Sequence, residues 1–300
     1  MTSLPYLGEI LALLAALCWA FGVIFFKRSG ETVHPISLNL FKNSFALLLY
    51  IPTLFLVHQP LIQPLEPRVY ILLISSGVLG MGLSDTLHLM GLNRVGAGLF
   101  SIITTLYAPM VIGLSMLLLG EHLSLMQGCG VVLILAAVLM VTGRASRNTG
   151  SGVEKRDLLI GSIYLLLGMM VMAVSVILVK PVLSSAPVVW ATQMRLLGGL
   201  VFLVPLTLLR SDRKELLKGL FDRRSMRFML PGSLLGTYFA LLLMIGGLKY
   251  ALASTATVLN QTSNLFIFIL AVLLLREPIN PIRIAGIVLG VLGAVLVTFG

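Results

Sequence analysis

Long apolar runs recur along the chain with polar punctuation between them, each about as long as a bilayer is thick. A crossing helix needs about 20 mostly apolar residues to span a hydrocarbon layer near 30 Å. Ten segments meet that length, running roughly over 4–26, 36–57, 69–91, 96–119, 124–143, 157–179, 188–209, 228–248, 252–275 and 281–299. The cuts fall at Pro35, Pro60, Pro67, Asn93-Arg94, Glu121-His122, Pro181, Pro187, Pro278 and Pro281, where proline and turn-forming polar residues end helices. Residues 210–227 are polar but carry Leu216, Leu217, Leu220 and Phe221 at helical spacing. That spacing predicts a short amphipathic helix on the membrane surface. Nothing else is long enough to make a soluble domain.

The pattern is written twice. Leu117-Leu118-Leu119-Gly120-Glu121 matches Leu273-Leu274-Leu275-Arg276-Glu277 at an offset of 156, and both continue through a glycine, Gly130 and Gly286, to a closing Val-Thr. The same offset pairs Gly91-Leu92 with Gly247-Leu248, and an offset of 153 pairs Lys27 with Lys180, Lys42 with Arg195 and Pro52 with Pro205. A duplicated unit decides a fold. Each copy holds an odd number of apolar segments, so the second should sit upside down relative to the first, a transporter arrangement. The expected fold is an all-α integral membrane protein, ten transmembrane helices forming two inverted-topology five-helix repeats around a central cavity. The first repeat covers residues 1–146, a basic linker 147–156, and the second repeat 157–300.

Composition agrees: 58% of the 300 residues are hydrophobic and 11% charged, against about 25% charged in a soluble domain. The net charge of +10 is topological, because 19 of the 21 Lys and Arg lie in loops or at segment ends. Without interleaved aromatics, it does not describe a nucleic-acid surface. The loops after segments 1, 3, 5, 7 and 9 hold 16 of them, and the other side holds Arg68, Lys180 and Lys249. The positive-inside rule then makes the first side cytoplasmic and both termini extracytoplasmic, in a multi-pass protein of a prokaryotic inner membrane. The first 26 residues carry no Lys or Arg and read as a retained span, not a cleaved leader. Cys18 and Cys129 stand alone in apolar surroundings, so no disulfide, metal site or cofactor is indicated.

The run Gly91-Leu92-Asn93-Arg94-Val95-Gly96-Ala97, then Pro109, then Leu119-Gly120-Glu121, resembles the EamA-like domain of the drug/metabolite transporter superfamily. Ala15-Ala16-Leu17-Cys18-Trp19-Ala20 resembles that domain's small-Trp-small opening, and Lys42 falls where the family often has a basic residue. The second copy keeps Gly247-Leu248, Arg276-Glu277 and Gly286 but has Met172 in place of Trp19 and Leu265 in place of Pro109. The resemblance covers nearly the whole chain. It implies a transporter of amino acids, other metabolites or drugs, with nucleotide sugars and triose phosphates as cargo in related branches. It also implies cytoplasmic termini in many relatives, opposite to the charge count.

A charge in lipid costs about 2.5–3.5 kcal/mol even on the lenient insertion scale, so each needs a reason. Lys42 shares its helix face with Asn39 and Asn43; it either lines a cavity or snorkels to the nearby interface. Asp85 and His88 stand three apart on one face at a depth similar to Lys42, so Lys42 and Asp85 should pair. Their repeat equivalents are Leu241 and Met244. The pair therefore reads either as a structural tie or as a substrate-ammonium site or proton relay, with His88 able to titrate near neutrality. Arg195 should open toward the opposite side with Glu9 as its nearest acid; otherwise it holds a carboxylate or phosphate. Asn260, Gln261 and Asn264 have Thr104, Thr105 and Ala108 as counterparts, and with Trp19, Tyr107, Tyr238 and Trp190 they suit a cavity for a small amphipathic molecule. Glu121 and Glu277 should serve the N-termini of segments 5 and 10. Gly286 and Gly290 offer a packing face or a homodimer surface.

These features favour a secondary transporter, with small-molecule substrate, lipid and coupling protons as its partners. No Walker loop, HExxH or GxSxG is present, and Asp85 has no second deep acid for an aspartyl mechanism, so an enzyme is not expected. Ser84 and His88 lie a turn apart, an arrangement that should keep them from acting as a nucleophile and its base. Amino-acid export is the leading reading, an exchanger of phosphorylated solutes or a drug-efflux permease the alternative.

Overall fold

Hydrocarbon offers the backbone no hydrogen-bond partners, so each segment must satisfy its own amides and carbonyls, and the helix does so locally. The computed structural model describes residues 6–119, 124–147, 154–251, 256, 259–277, 279 and 281–299, and every regular element among them is helical. The helices are α1 (Leu7–Ser29), α2 (Pro35–Leu56), α3 (Pro67–Gly77), α4 (Asp85–Ile103), α5 (Tyr107–Leu119), α6 (Leu125–Arg147) and α7 (Lys155–Val179). They continue as α8 (Val188–Leu208), α9 (Arg213–Lys218), α10 (Arg223–Ser233), α11 (Ala240–Tyr250), α12 (Thr262–Leu275) and α13 (Pro281–Phe299). Widened π-helical turns, Val78–Ser84 and Leu234–Phe239, join α3 to α4 and α10 to α11. They are equivalent by the offset of 156, so the irregularity is itself duplicated.

Among the described residues, six helical runs are long and apolar enough to cross a membrane: Leu7–Ser29, Pro35–Leu56, Pro67–Leu118, Lys155–Val182, Val188–Leu208 and Arg223–Tyr250. The third has 52 residues, about 78 Å at 1.5 Å per residue, more than twice the hydrocarbon thickness. It breaks at Gly96, whose φ of 80° and ψ of 166° leave the helical region. Glycine adopts that conformation without a Cβ clash.

The helix resumes after Gly96 with its first amides unsatisfied, and Glu277 supplies the acceptor. Its carboxylate takes Ala97 N at 2.9 Å and Gly98 N at 3.1 Å. Glu277 thus serves the helix that restarts in the first half of the chain, a role the sequence expectation for the start of α13 did not include. The chain folds back here and puts the carboxylate beside a helix N-terminus, where negative charge is favoured. Glu121 lies outside the described residues. Beside the clasp, Lys27 Nζ donates to Asn93 O at 3.0 Å and Asn93 Nδ2 to Gly30 O at 3.2 Å.

The polar stretch before α10 also departs from expectation. Leu216 and Leu220 are buried, and Leu216 O accepts from Ser37 Oγ at 2.7 Å. The short α9 thus packs its apolar residues against the start of α2 instead of lying on lipid. Asp222 then starts α10 by accepting from Ser225 N at 3.1 Å and Ser225 Oγ at 3.0 Å. Such a cap lets a helix begin before the apolar stretch does.

The two halves interleave. α1 packs along α11 and α12, α7 along α4, and α6 along α13. A Cβ added to Gly22 would lie 2.4 Å from Gly236 Cα, so α1 meets the turn after α10 backbone to backbone. The equivalent crossing sets Gly80 against Ser175, whose Oγ would stand 2.6 Å from an added Cβ. Gly290 meets Thr105, and Gly293 meets Gly130 and Ile134, so the glycine face of α13 packs within the chain.

Candidate functional site: a charged cavity between the halves

Between the halves lies a cavity of about 960 Å³ of empty space, part of it open to solvent. One end is formed by Trp19, His88 and Phe100, backed by the apolar cluster of Val23, Phe26, Leu89 and Leu92. The lining extends to Leu248, near the C-terminal end of α11.

The π turn at Val78–Ser84 builds the charged wall. A widened turn misaligns the backbone ladder and frees carbonyls. Asn39 Nδ2 donates to Met81 O at 2.9 Å, Gly82 O at 3.0 Å and Thr86 Oγ1 at 2.9 Å, and Asn43 Nδ2 donates to Met81 O at 3.1 Å. With those carbonyls held, α4 begins at Asp85 and presents its carboxylate to α2. Lys42 Nζ lies 2.5 Å from Asp85 Oδ2, both side chains almost fully buried, with the Phe26 ring 6.0 Å from Nζ. Lys42 therefore does not reach an interface.

Arg195 lines the same cavity and is 2% exposed, so it does not snorkel either. Its Nη2 donates to Ser175 Oγ at 3.1 Å, and its Nε has no hydrogen-bond partner. Among the described residues no ion pair joins it to Glu9. One cavity nevertheless reaches both Arg195 and Lys42.

The amides of the second half are mostly engaged. Gln261 Nε2 donates to Thr104 O at 3.1 Å and Thr105 O at 3.2 Å, in the 3-10 turn Thr104–Leu106 between α4 and α5. Thr104 Oγ1 donates to Asn264 Oδ1 at 3.1 Å, and Asn264 Nδ2 to Gln261 Oε1 at 3.1 Å. Asn260 Oδ1 has no partner. These contacts tie repeat-equivalent positions to each other across the molecule.

Of the residues anticipated from sequence, Trp19, Lys42, Asp85, His88, Tyr107, Arg195, Asn260, Gln261 and Asn264 line the cavity. Asn39 and Asn43 stand behind its wall. Tyr238 bonds Thr53 Oγ1 at 2.7 Å and is outside the lining. Trp190 is fully buried and donates to Leu61 O at 3.0 Å against the Tyr70 ring. A large aromatic with one polar atom finds a packing niche where that atom is satisfied. Sequence reasoning also missed the methionine wall, Met81, Met169, Met172 and Met244. The signal was the repeat: Met172 is the equivalent of Trp19 and Met244 of His88, so cavity positions in one half mark those in the other.

Ser84 and His88 are also closer than the sequence suggested. Ser84 Oγ is 3.2 Å from His88 Nδ1, since residues i and i+4 are helix neighbours. Ser84 Oγ also donates to Gly168 O at 2.8 Å. A hydroxyl has one proton to give, so Ser84 accepts from Nδ1–H, the reverse of what nucleophile activation needs.

Comparison with known proteins agrees with this architecture. A transporter of Archaeoglobus fulgidus, named only as uncharacterized, is 24% identical over 289 residues, covering 96% of each chain. A crystal structure of a protein at 13% identity superposes with a TM-score of 0.72 over 97% of this chain and 96% of that one, which shows a shared fold. The EamA-like transporter family matches residues 6–143 and again 159–299, and the chain belongs to that family.

Proposed function

We propose that this protein is a secondary transporter that exports small amphipathic metabolites such as amino acids by alternating access. In this reading ten crossings form two inverted halves, residues 1–146 and 157–300, joined by the basic linker 147–156. The two π turns at equivalent positions and the paired crossings of Gly22 with Gly236 and Gly80 with Ser175 support that arrangement. The observation that carries the reading is the cavity between the halves, which holds Lys42, Asp85 and Arg195 buried in its lining. Charges so placed are costly unless they serve a solute or an ion. Asp85 and His88 are the coupling candidates, because both line the cavity from one face of α4, within a helix turn of each other. A phosphorylated cargo is disfavoured, because Asp85 already neutralises Lys42.

The test is uptake of a mixed pool of labelled amino acids into proteoliposomes, with and without an imposed proton gradient. Accumulation that follows the gradient supports proton coupling. Gradient-independent exchange replaces it with a facilitator or antiporter, and no movement of any amino acid removes the leading cargo.

A further inference from the structure

Resting on that transport reading, we propose that Arg195 is the carboxylate-binding residue of the cavity. Its ligand is a solute with one carboxylate and an apolar body laid on Met81, Met169, Met172 and Met244.

The charge balance of the lining points there first. Its acids and bases of fixed charge are Lys42, Asp85 and Arg195, and the first two neutralise each other at 2.5 Å. One positive charge is left over. A guanidinium removed from water loses its hydration and needs acceptors in return. Among the described residues Arg195 has the Ser175 hydroxyl, on Nη2, as its hydrogen-bond partner, and its Nε is buried without one. The planar fork of Arg suits a carboxylate, which can accept on two oxygens at once. A phosphate monoester carries up to two charges, and one uncompensated cation cannot neutralise both.

The remaining lining sets the rest of the ligand. Four methionines from both halves, together with Trp19 and Phe100, make an apolar surface. Thioether side chains are flexible and polarizable, and they fit varied apolar or aromatic bodies. Polar readout beside them is sparse. Gln261 and Asn264 spend their amides on Thr104 and Thr105 and on each other, which leaves Asn260 Oδ1 as the unpartnered acceptor among the amides. The cavity therefore fixes one end of its ligand by charge and accommodates the other by shape.

The experiment measures the intrinsic tryptophan fluorescence of the purified protein, since Trp19 lines the cavity, against 4-methylpentanoate, 4-methylpentanamide and an alkyl phosphate of similar size. The carboxylate should give a saturable change, with the amide at least about tenfold weaker, the loss expected when a charge-assisted contact is removed. R195Q should bind acid and amide equally weakly, and R195K should restore part of the preference for the acid. Equal binding of acid and amide by the unaltered protein, no response to either, or tighter binding of the phosphate overturns the inference without any variant having to fold. The two readings fail separately. Amino-acid transport with no carboxylate preference sinks only the role of Arg195. Arg195-dependent carboxylate binding by a protein that moves no solute sinks only the transport reading.

Discussion

Lys42 and Asp85, with side chains 2% and 6% exposed, are the test of whether a buried pair here is a tie or a tool. Removing one partner of such a pair costs about 3–5 kcal/mol, because the other charge stays behind, while replacing both with apolar groups is often neutral. D85N alone should therefore lower both melting temperature and transport, and by itself decides nothing. The double variant K42M/D85L should recover the melting temperature in detergent and remain inactive in proteoliposomes. Recovery of both would make the pair a structural tie. The pairing was legible in the sequence because depth follows from residue count, and both residues sit a similar distance into their helices. Arg195 was legible as a buried charge but not as a neighbour of that pair. Its position depends on how α8 crosses the other helices, and crossing geometry leaves no mark on a single segment's composition.

At the scale of the element, apolar run length located the helices because bilayer thickness fixes it, yet the run gave no sign of how two of them deform. The π turns at Val78–Ser84 and Leu234–Phe239 depend on partners far along the chain. For the first these are Asn39 and Asn43, which read as a polar stripe of α2 and turn out to hold the carbonyls of Met81 and Gly82. N39A should therefore displace Asp85 and weaken transport while leaving every charge in place. A variant with unaltered transport kinetics would remove the turn from the mechanism. Glu277 makes the same point from the other half. E277A orphans Ala97 N and Gly98 N, a loss of about 1 kcal/mol by the standard of helix caps, and should lower the melting temperature. E277Q keeps an acceptor and should recover part of it, and an unchanged melting temperature in E277A would show the clasp to be idle.

For the whole molecule, the loops rich in Lys and Arg gather at one end of the bundle. Arg28 Nη2 donates to Leu274 O at 3.3 Å, Thr32 Oγ1 and Ser225 Oγ are 2.8 Å apart, and Arg94 pairs with Asp157. Arg28, Arg224 and Arg227 share a surface cleft there. At the far end Lys180 Nζ donates to Leu248 O at 2.6 Å and Ala251 O at 2.7 Å, and Lys249 Nζ donates to Ala186 O at 2.8 Å. Both lysines bind chain carbonyls and so act as internal fastenings of the far end, whereas Arg68 on the same side is exposed. An end dense in Arg resists translocation across the membrane, and on the positive-inside rule we propose it as the cytoplasmic one. A phosphatase that folds only outside the cytoplasm should be active when fused after Gly300, and a fluorescent protein that matures only inside should stay dark. The opposite pattern would place the termini inside, the arrangement that the family resemblance implies for many relatives.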